Sequence, residues 1–483
     1  MTEKLVLIHG WSDCSASFKA LKQSLVGLFA EKDIYFVDYE SREDHLSFDD
    51  VVDGLRDQLR VQKLIGADDT AKAGDELNVI VHSTGGLVVR DFISRYYSHR
   101  LSACPIKRVI MLAPANFGSP LAHLGKSTLG SFMAGRKELG NFFDTGKQIL
   151  SGLELGSPYQ WDLAARDVLH KTQFFSSTLI QATVLVGLAK YDGIKQAVNR
   201  PGTDGTVVIA GTNLNSVKFC FDFSSGSYDW DHQQTISETA FGVIPGVNHS
   251  TIVDSACDKK HDVHKFVVRA LSTKSEHDFD SLRADLTAFS NSSYKTSKPE
   301  ERQYQQFMVR VIDDFDHAIQ DYRIEFFVST KDDITKKKDT KFGLLNLGKL
   351  TDPLKKASDE ISYAICDEFH EYSNDASYRR FLVDNKKVRD KLTEVKTAIG
   401  ENVLLTIKLH LPKVDNGIKY QSEKLENIVI YDLEHKYDGE PAIFFPNTTT
   451  LLEFRVNRLN NYVSVGQEPL DQAAREKRYK ANR

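Results

Sequence analysis

Short unbroken apolar runs punctuate the first half of the chain. Leu5 to Ile8, Val79 to Val81, Val109 to Leu112 and Thr183 to Gly187 show no polar face. Runs of this kind suit strands buried on both sides of a parallel sheet. Between them lie helical patterns. Phe48 to Leu64 sets Val51, Val52, Leu55, Leu59 and Val61 mostly at three- and four-residue spacings, and Leu87 to Tyr97 follows directly on Gly85-Gly86. Alternation of strands and helices predicts an α/β layer with right-handed crossovers, a doubly wound, mostly parallel sheet. Leu121 to Gln181 breaks this order with Leu129, Phe132, Phe142, Phe143, Leu150, Leu153, Trp161 and Leu163 among many glycines. An apolar helical insertion at that place predicts a cap over a site, at about 121–181.

The texture changes after Ser272. Ser272 to Glu301 is polar and charged and reads as a linker, 273–301. Beyond it, Leu405, Ile407, Leu409 and Leu411 alternate with polar residues, as do Leu452, Phe454 and Val456. Period-two alternation marks strands with one buried face. Phe307 to Ile312, Arg323 to Val328 and Ile428 to Tyr431 are further strand candidates, whereas Asp352 to Phe369 and Asn385 to Ala398 fit neither period clearly. These features predict an α/β domain at 1–272, a β-rich, sandwich-like domain at 302–465 and a solvated basic tail at 466–483. The two halves are expected to fold as separable units.

The chain has 483 residues, 41% of them hydrophobic and 27% charged, enough apolar material for a sizeable core. Lys plus Arg is 62 and Asp plus Glu is 67, so the net charge is -5 and no basic footprint points to a nucleic-acid partner. No apolar run reaches the roughly 20 residues of a membrane helix. A membrane partner would therefore be met peripherally. The apolar part of the opening MTEKLVLIHG is too short for a signal-peptide core, which predicts cytoplasmic localisation unless export is signal-independent. Five cysteines, none in C-x-x-C spacing, suggest neither a disulfide framework nor a zinc site. There is no P-loop, HExxH or dinucleotide fingerprint, so no metal or organic cofactor is expected. Asp313-Asp314-Phe315-Asp316 reads as an acidic hairpin turn and Lys336-Lys337-Lys338 as a solvated loop. Oligomeric state is not legible.

The candidate chemistry centres on Val79-Ile80-Val81-His82-Ser83-Thr84-Gly85-Gly86. A strand running into Ser83, with a helix just after it, presents the hydroxyl at the top of the sheet, at the positive end of the helix. The usual pattern is G-x-S-x-G, and Val81 departs from it. The first strand ends Ile8-His9-Gly10-Trp11. There the backbone N–H of Trp11, with that of Thr84, could hold a tetrahedral oxyanion. A serine nucleophile needs a base and a carboxylate that fixes the base's tautomer. Asp204, in Gly202-Thr203-Asp204-Gly205, and His249, in the Gly-rich loop Pro245 to Ser250, follow Ser83 in the order serine, acid, histidine. Asp192 is the main rival acid and Asp222 and Asp231 are weaker ones. His232, His261 and His264 compete as base, the last two in a charged stretch where solvated histidines are the default. His9 and His82 read as structural.

These residues resemble the α/β-hydrolase superfamily, specifically its lipase and esterase branch. The similarity rests on Ile8-His9-Gly10-Trp11, His82-Ser83-Thr84-Gly85-Gly86, Ala113-Pro114-Ala115-Asn116-Phe117-Gly118-Ser119-Pro120, Asp204-Gly205-Thr206-Val207 and Asn248-His249-Ser250. Several also resemble the lecithin–cholesterol acyltransferase-like lipases. The resemblance implies Ser83 as nucleophile, Asp204 as acid, His249 as base and Trp11 and Thr84 as oxyanion donors. It covers a little over half the chain. The region after about 300 resembles, by analogy, the β-sandwich lipid- or partner-binding appendages of bacterial lipases. The expected activity is hydrolysis of a lipidic or otherwise hydrophobic carboxylic ester. Acyl transfer to an alcohol, a non-catalytic hydrolase-like scaffold and an exported phospholipase effector are the competing readings.

Overall fold

The computed structural model describes residues 2–71, 75–122, 146–224, 229–234, 238–297, 302–330, 352–366, 368–412, 418–421, 425, 428–432, 443–459 and 471–473. Among them the first half contains strands β1 (Thr2–Ile8), β2 (Ile34–Val37), β3 (Asp75–His82), β4 (Ile106–Leu112), β5 (Gln181–Gly187), β6 (Val217–Asp222), β7 (Asp229–Gln234) and β8 (Ala240–Ile244). Six of these form one sheet in the order β2-β1-β3-β4-β5-β8, every pair parallel. Its central strands are apolar on both faces because both are covered. Leu5, Leu7, Ile80, Val81, Val109, Ile110, Val184 and Leu185 are all fully buried. This is the α/β layer the apolar runs predict.

The span 273–301 differs from the linker expectation. Glu276–Thr296 is a 21-residue helix, started by a reciprocal cap between Ser275 and Asp278. Its polar composition conceals Phe279, Leu282 and Leu286, which recur at three- and four-residue spacing and are fully buried. The helix lies along β8, the outermost strand of the sheet. The Ser290 hydroxyl accepts from Val243 N at 2.9 Å and the Ser293 hydroxyl donates to Val243 O at 2.9 Å. Side chains thus satisfy backbone groups that an edge strand would otherwise leave open.

The two halves also share a sheet. The second half holds β9 (Tyr304–Asp313), β10 (Arg323–Thr330), β11 (Glu368–Glu371), β12 (Tyr378–Asp384), β13 (Val403–His410), β14 (Lys419–Tyr420), β15 (Ile428–Asp432), β16 (Thr449–Val456) and β17 (Arg458–Leu459). Its large sheet runs β11-β12-β9-β16-β6-β7, so β6 and β7, on the near side of residue 272, complete it. β6 pairs in parallel with β16 from Val217 opposite Thr450 to Asp222 opposite Arg455. A smaller antiparallel sheet, β10-β13-β15, shares its core. The sandwich-like expectation describes these two sheets, but the two ambiguous spans are helices, Asp352–Cys366 and Asn385–Ile399, packed in the same core. Hydrogen bonds tie the halves further. Gln306 Nε2 donates to Phe117 O at 3.1 Å, Asn213 Nδ2 to Asn447 O at 2.9 Å, and Thr449 Oγ1 to Ala210 O at 3.3 Å.

Of the expected cap, residues 123–145 lie outside the described residues. The described part carries two helices, Lys147–Leu153 and Pro158–Arg166. The basic tail lies outside them apart from 471–473, as does Lys336 to Lys338. Asp313 to Asp316 is a turn in which Asp313 Oδ1 accepts from Phe315 N and His317 N, both at 2.9 Å.

Candidate active site

Ser83 follows the last residue of β3, and the helix Gly85–Tyr97 starts two residues later. Its φ is 53°, in the left-handed region that a residue with a side chain rarely occupies. The surroundings enforce that turn. Ser83 N donates to Leu112 O at 3.1 Å, and Ser83 O accepts from Ala115 N at 3.0 Å and Gly86 N at 3.1 Å. The elbow is therefore pinned to the end of β4. Close approach accounts for two glycines. A Cβ at Gly10 would lie 2.8 Å from Ser83 Cβ, and one at Gly86 2.7 Å from Pro114 Cβ. Gly85 is needed for the same reason: a Cβ there would meet Ile8 O at 2.9 Å and Val81 Cβ at 3.2 Å, so Val81 packs directly against the start of the helix.

Asp204 and His249 lie on loops after β5 and β8 and meet. His249 Nδ1 is 3.1 Å from Asp204 Oδ2, and His249 N donates to Asp204 O at 3.1 Å. Asp204 is fully buried and its other carboxylate oxygen accepts from Thr206 N at 3.0 Å and Val207 N at 2.8 Å. A carboxylate only accepts, so Nδ1 carries the proton and Nε2 of the neutral ring keeps a lone pair. The rivals sit elsewhere. Asp192 is exposed at the start of a short 3-10 turn, Asp222 is on β6, and Asp231 and His232 are on β7 of the second sheet. His261 caps the helix Asp262–Ser272, accepting from Val263 N at 3.2 Å. His264 is buried, with Nδ1 2.7 Å from Ala256 O, and so is not the solvated histidine its charged neighbours suggest.

Trp11, Ser83, Thr84 and His249 line one cavity of about 600 Å³. That is an ordinary size for a small-molecule site. Leu121, Ala122, Leu150, Leu153 and Val253 form an apolar wall, while Asp13, Lys195 and Asp254 bring charge to the lining. Three further side chains support the site: Tyr39 and Tyr191, which the motifs do not single out, and His82. Tyr39 stacks on His9 at 4.5 Å between centroids, and its hydroxyl donates to His9 O at 3.1 Å and lies 2.8 Å from Thr84 Oγ1. Burial pushes that hydroxyl well above the ordinary phenol range, so it stays protonated. Tyr191 packs against Gly205, where a Cβ would be 2.5 Å from its ring, and its hydroxyl accepts from Ser250 Oγ at 3.1 Å. It bridges the Asp204 and His249 loops. His82 Nε2 donates to His249 O at 3.1 Å. No local motif marks Tyr39 or Tyr191, because each acts across chain-distant loops. Among the described residues no group of three or more His, Cys, Asp or Glu side chains is placed to hold a metal ion, and no helix is long and apolar enough to cross a membrane.

No family model matches the chain, and no curated protein matches it. Solved structures do. The phospholipase PlaB from Legionella pneumophila, in complex with thio-NAD, aligns over 97% of this chain and 98% of its own with a TM-score of 0.75 at 21% identity. A second PlaB structure gives a TM-score of 0.74 at 22% identity over the same shares. The mature lipase BlEst2 of Bacillus licheniformis covers 52% of this chain and 86% of its own at 15% identity, with a TM-score of 0.33. The alignment with PlaB runs through both halves of the chain, which shares that fold: a parallel six-stranded sheet of the α/β-hydrolase type with further mixed and antiparallel sheets.

Proposed function

We propose that the protein is a serine hydrolase that cleaves carboxylic esters of lipids through an acyl-enzyme on Ser83. The observation that carries this reading is Ser83 held at φ 53° in a cavity shared with His249, whose Nδ1–H faces the buried Asp204. The Ser83 hydroxyl oxygen attacks the ester carbonyl carbon as its proton passes to His249 Nε2. Asp204 holds the ring and stabilises the imidazolium. The backbone N–H groups of Trp11 and Thr84 receive the oxyanion. The intermediate collapses, His249 returns the proton to the leaving alcohol, and an acyl ester remains on Ser83. Water, deprotonated by His249, then releases the acid. The leucine-rich wall favours an apolar acyl chain, since each buried methylene contributes about 0.8 kcal/mol. The fold shared with a phospholipase supports a lipid ester as substrate.

The test is labelling by a fluorophosphonate probe together with a p-nitrophenyl ester series. Wild type should label and hydrolyse, and Ser83→Ala should do neither while keeping its thermal melt. Hydrolysis retained in Ser83→Ala would rule the mechanism out.

A further inference from the structure

The apolar wall of the cavity is held from behind by a residue of the first half and a hairpin of the second. Leu150 and Leu153, on the helix Lys147–Leu153, face the cavity. The next residue, Glu154, is buried and turns the other way. Its Oε1 accepts three hydrogen bonds from the β11–β12 hairpin: His370 Nε2 at 2.9 Å, Ser373 N at 2.9 Å and Ser373 Oγ at 2.6 Å. One turn back, Ser151 Oγ lies 2.8 Å from Tyr372 OH and accepts from Asn374 Nδ2 at 3.1 Å. The grip reaches the cavity in one step. Ser119 N donates to Leu153 O at 2.8 Å, and Ser119 Oγ, itself at the cavity, donates to Thr206 O at 2.6 Å, two residues from Asp204.

A buried carboxylate with three donors on one oxygen is a stiff joint. Charge-assisted bonds are roughly twice as strong as neutral ones, and removing the carboxylate would strand those donors in a desolvated place. A lone stretch of helix as short as Lys147–Leu153 has little stability of its own, so its position must come from tertiary contacts. We infer that Glu154 is a positioning residue for the acyl-binding wall, and that His370 and Ser373 set through it where Leu150 and Leu153 stand. The inference rests on the ester-hydrolase reading above. It assigns selectivity for acyl-chain length partly to a hairpin more than 200 residues away, no described residue of which lines the cavity. A wall displaced by a fraction of a methylene changes discrimination between chain lengths more than it changes the chemistry at the carbonyl.

The experiment uses the full-length protein and p-nitrophenyl esters from acetate to palmitate, on wild type, Glu154→Gln, His370→Ala, His370→Gln and Ser373→Ala, each with its thermal melt. In Glu154→Gln and His370→Ala the ratio of kcat/KM on the long ester to that on acetate should fall about tenfold, mainly through KM. The fluorophosphonate labelling rate should fall far less. His370→Gln keeps an N–H donor and should recover part of the ratio. Equal losses on long and short esters, or no change in the ratio, would overturn the inference. Should Glu154→Gln not fold, the His370→Ala and His370→Gln pair decides in the same way. Wild type that neither labels nor hydrolyses any ester would instead remove the hydrolase reading itself.

Discussion

Ser83, Asp204 and His249 stand out in the sequence because each has a glycine within three residues, at 85, 205 and 246, a local signature. What the sequence leaves open is partnership. Asp192 and Asp204 both precede a glycine, and only the fold puts Asp204 Oδ2 3.1 Å from His249 Nδ1. Asp204→Asn should therefore cost on the order of 10⁴ in kcat, because an amide favours the wrong histidine tautomer. Asp192→Asn, on an exposed side chain, should cost little. Steady-state kinetics on a short soluble ester separates the two, and a reversed order would move the acid to 192. Ser83→Ala and His249→Ala should each cost on the order of 10⁴ to 10⁶, since members of such a set act as a unit. Tyr39 and Tyr191 escape sequence reasoning for a physical reason. Their hydroxyls act on Thr84 and Ser250 across loops that only the packed sheet brings together.

Among elements, the helix Glu276–Thr296 and the strands β6 and β7 belong to parts of the fold that their place in the chain does not suggest. Ser275-x-x-Asp278 ahead of Phe279, Leu282 and Leu286 is a capping signal followed by a helical stripe, and it competes with a polar composition that resembles a linker. Likewise Val217, Phe219, Phe221 and Phe223 alternate with polar residues. That pattern is foreign to a doubly covered parallel sheet and fits the one-faced sheet that β6 joins. Two consequences can be measured. Leu286 is fully buried against β8, so Leu286→Ala should destabilise by about 2–5 kcal/mol, and Ser290→Ala, which strands the Val243 N–H, by about 1–3 kcal/mol. Chemical denaturation reads both, and a neutral Ser290→Ala would mean water replaces the hydroxyl. Glu154 adds a pH dependence. Burial works to raise its carboxyl, but donation from His370 and Ser373 outweighs this and holds it below its ordinary 4.5. A folded-state pKa below the unfolded one gives stability that is present above the unfolded pKa and lost as pH falls through the folded one. The wild-type melting temperature should consequently fall more steeply than that of Glu154→Gln as pH drops from about 5 to about 3. Parallel slopes would show that the carboxylate is not what acid removes.

The composition shift near 272 suggests a hinge between independent parts, yet the fold runs across it. Composition reports what a segment is made of, and sheet membership depends on a partner strand far along the chain. β6 is flanked by β16 on one side and β7 on the other, and Phe221 stacks on Phe454 with centroids 5.0 Å apart. A chain ended at Ser297 would keep β6 and β7 but lose β9, β12 and β16. It would bare Phe219, Phe221 and Phe223, all buried in the full chain, along a strand whose edge N–H and C=O groups are open. Exposed apolar edges of this kind pair with other chains. The same cut removes Gln306 from Phe117 O, next to the segment that pins Ser83, and removes the His370–Ser373 grip on Glu154. The 1–297 fragment should therefore aggregate or lack a cooperative melt, and should be inactive even on p-nitrophenyl acetate. Supplying residues 302–483 in trans, or refolding the two pieces together, should restore part of the activity if the shared sheet is the cause, because the second piece brings back the strands that β6 needs. A soluble 1–297 fragment with full activity on the short ester would mean that the catalytic half stands without its β-rich partner, and that β16 holds β6 without β6 depending on it.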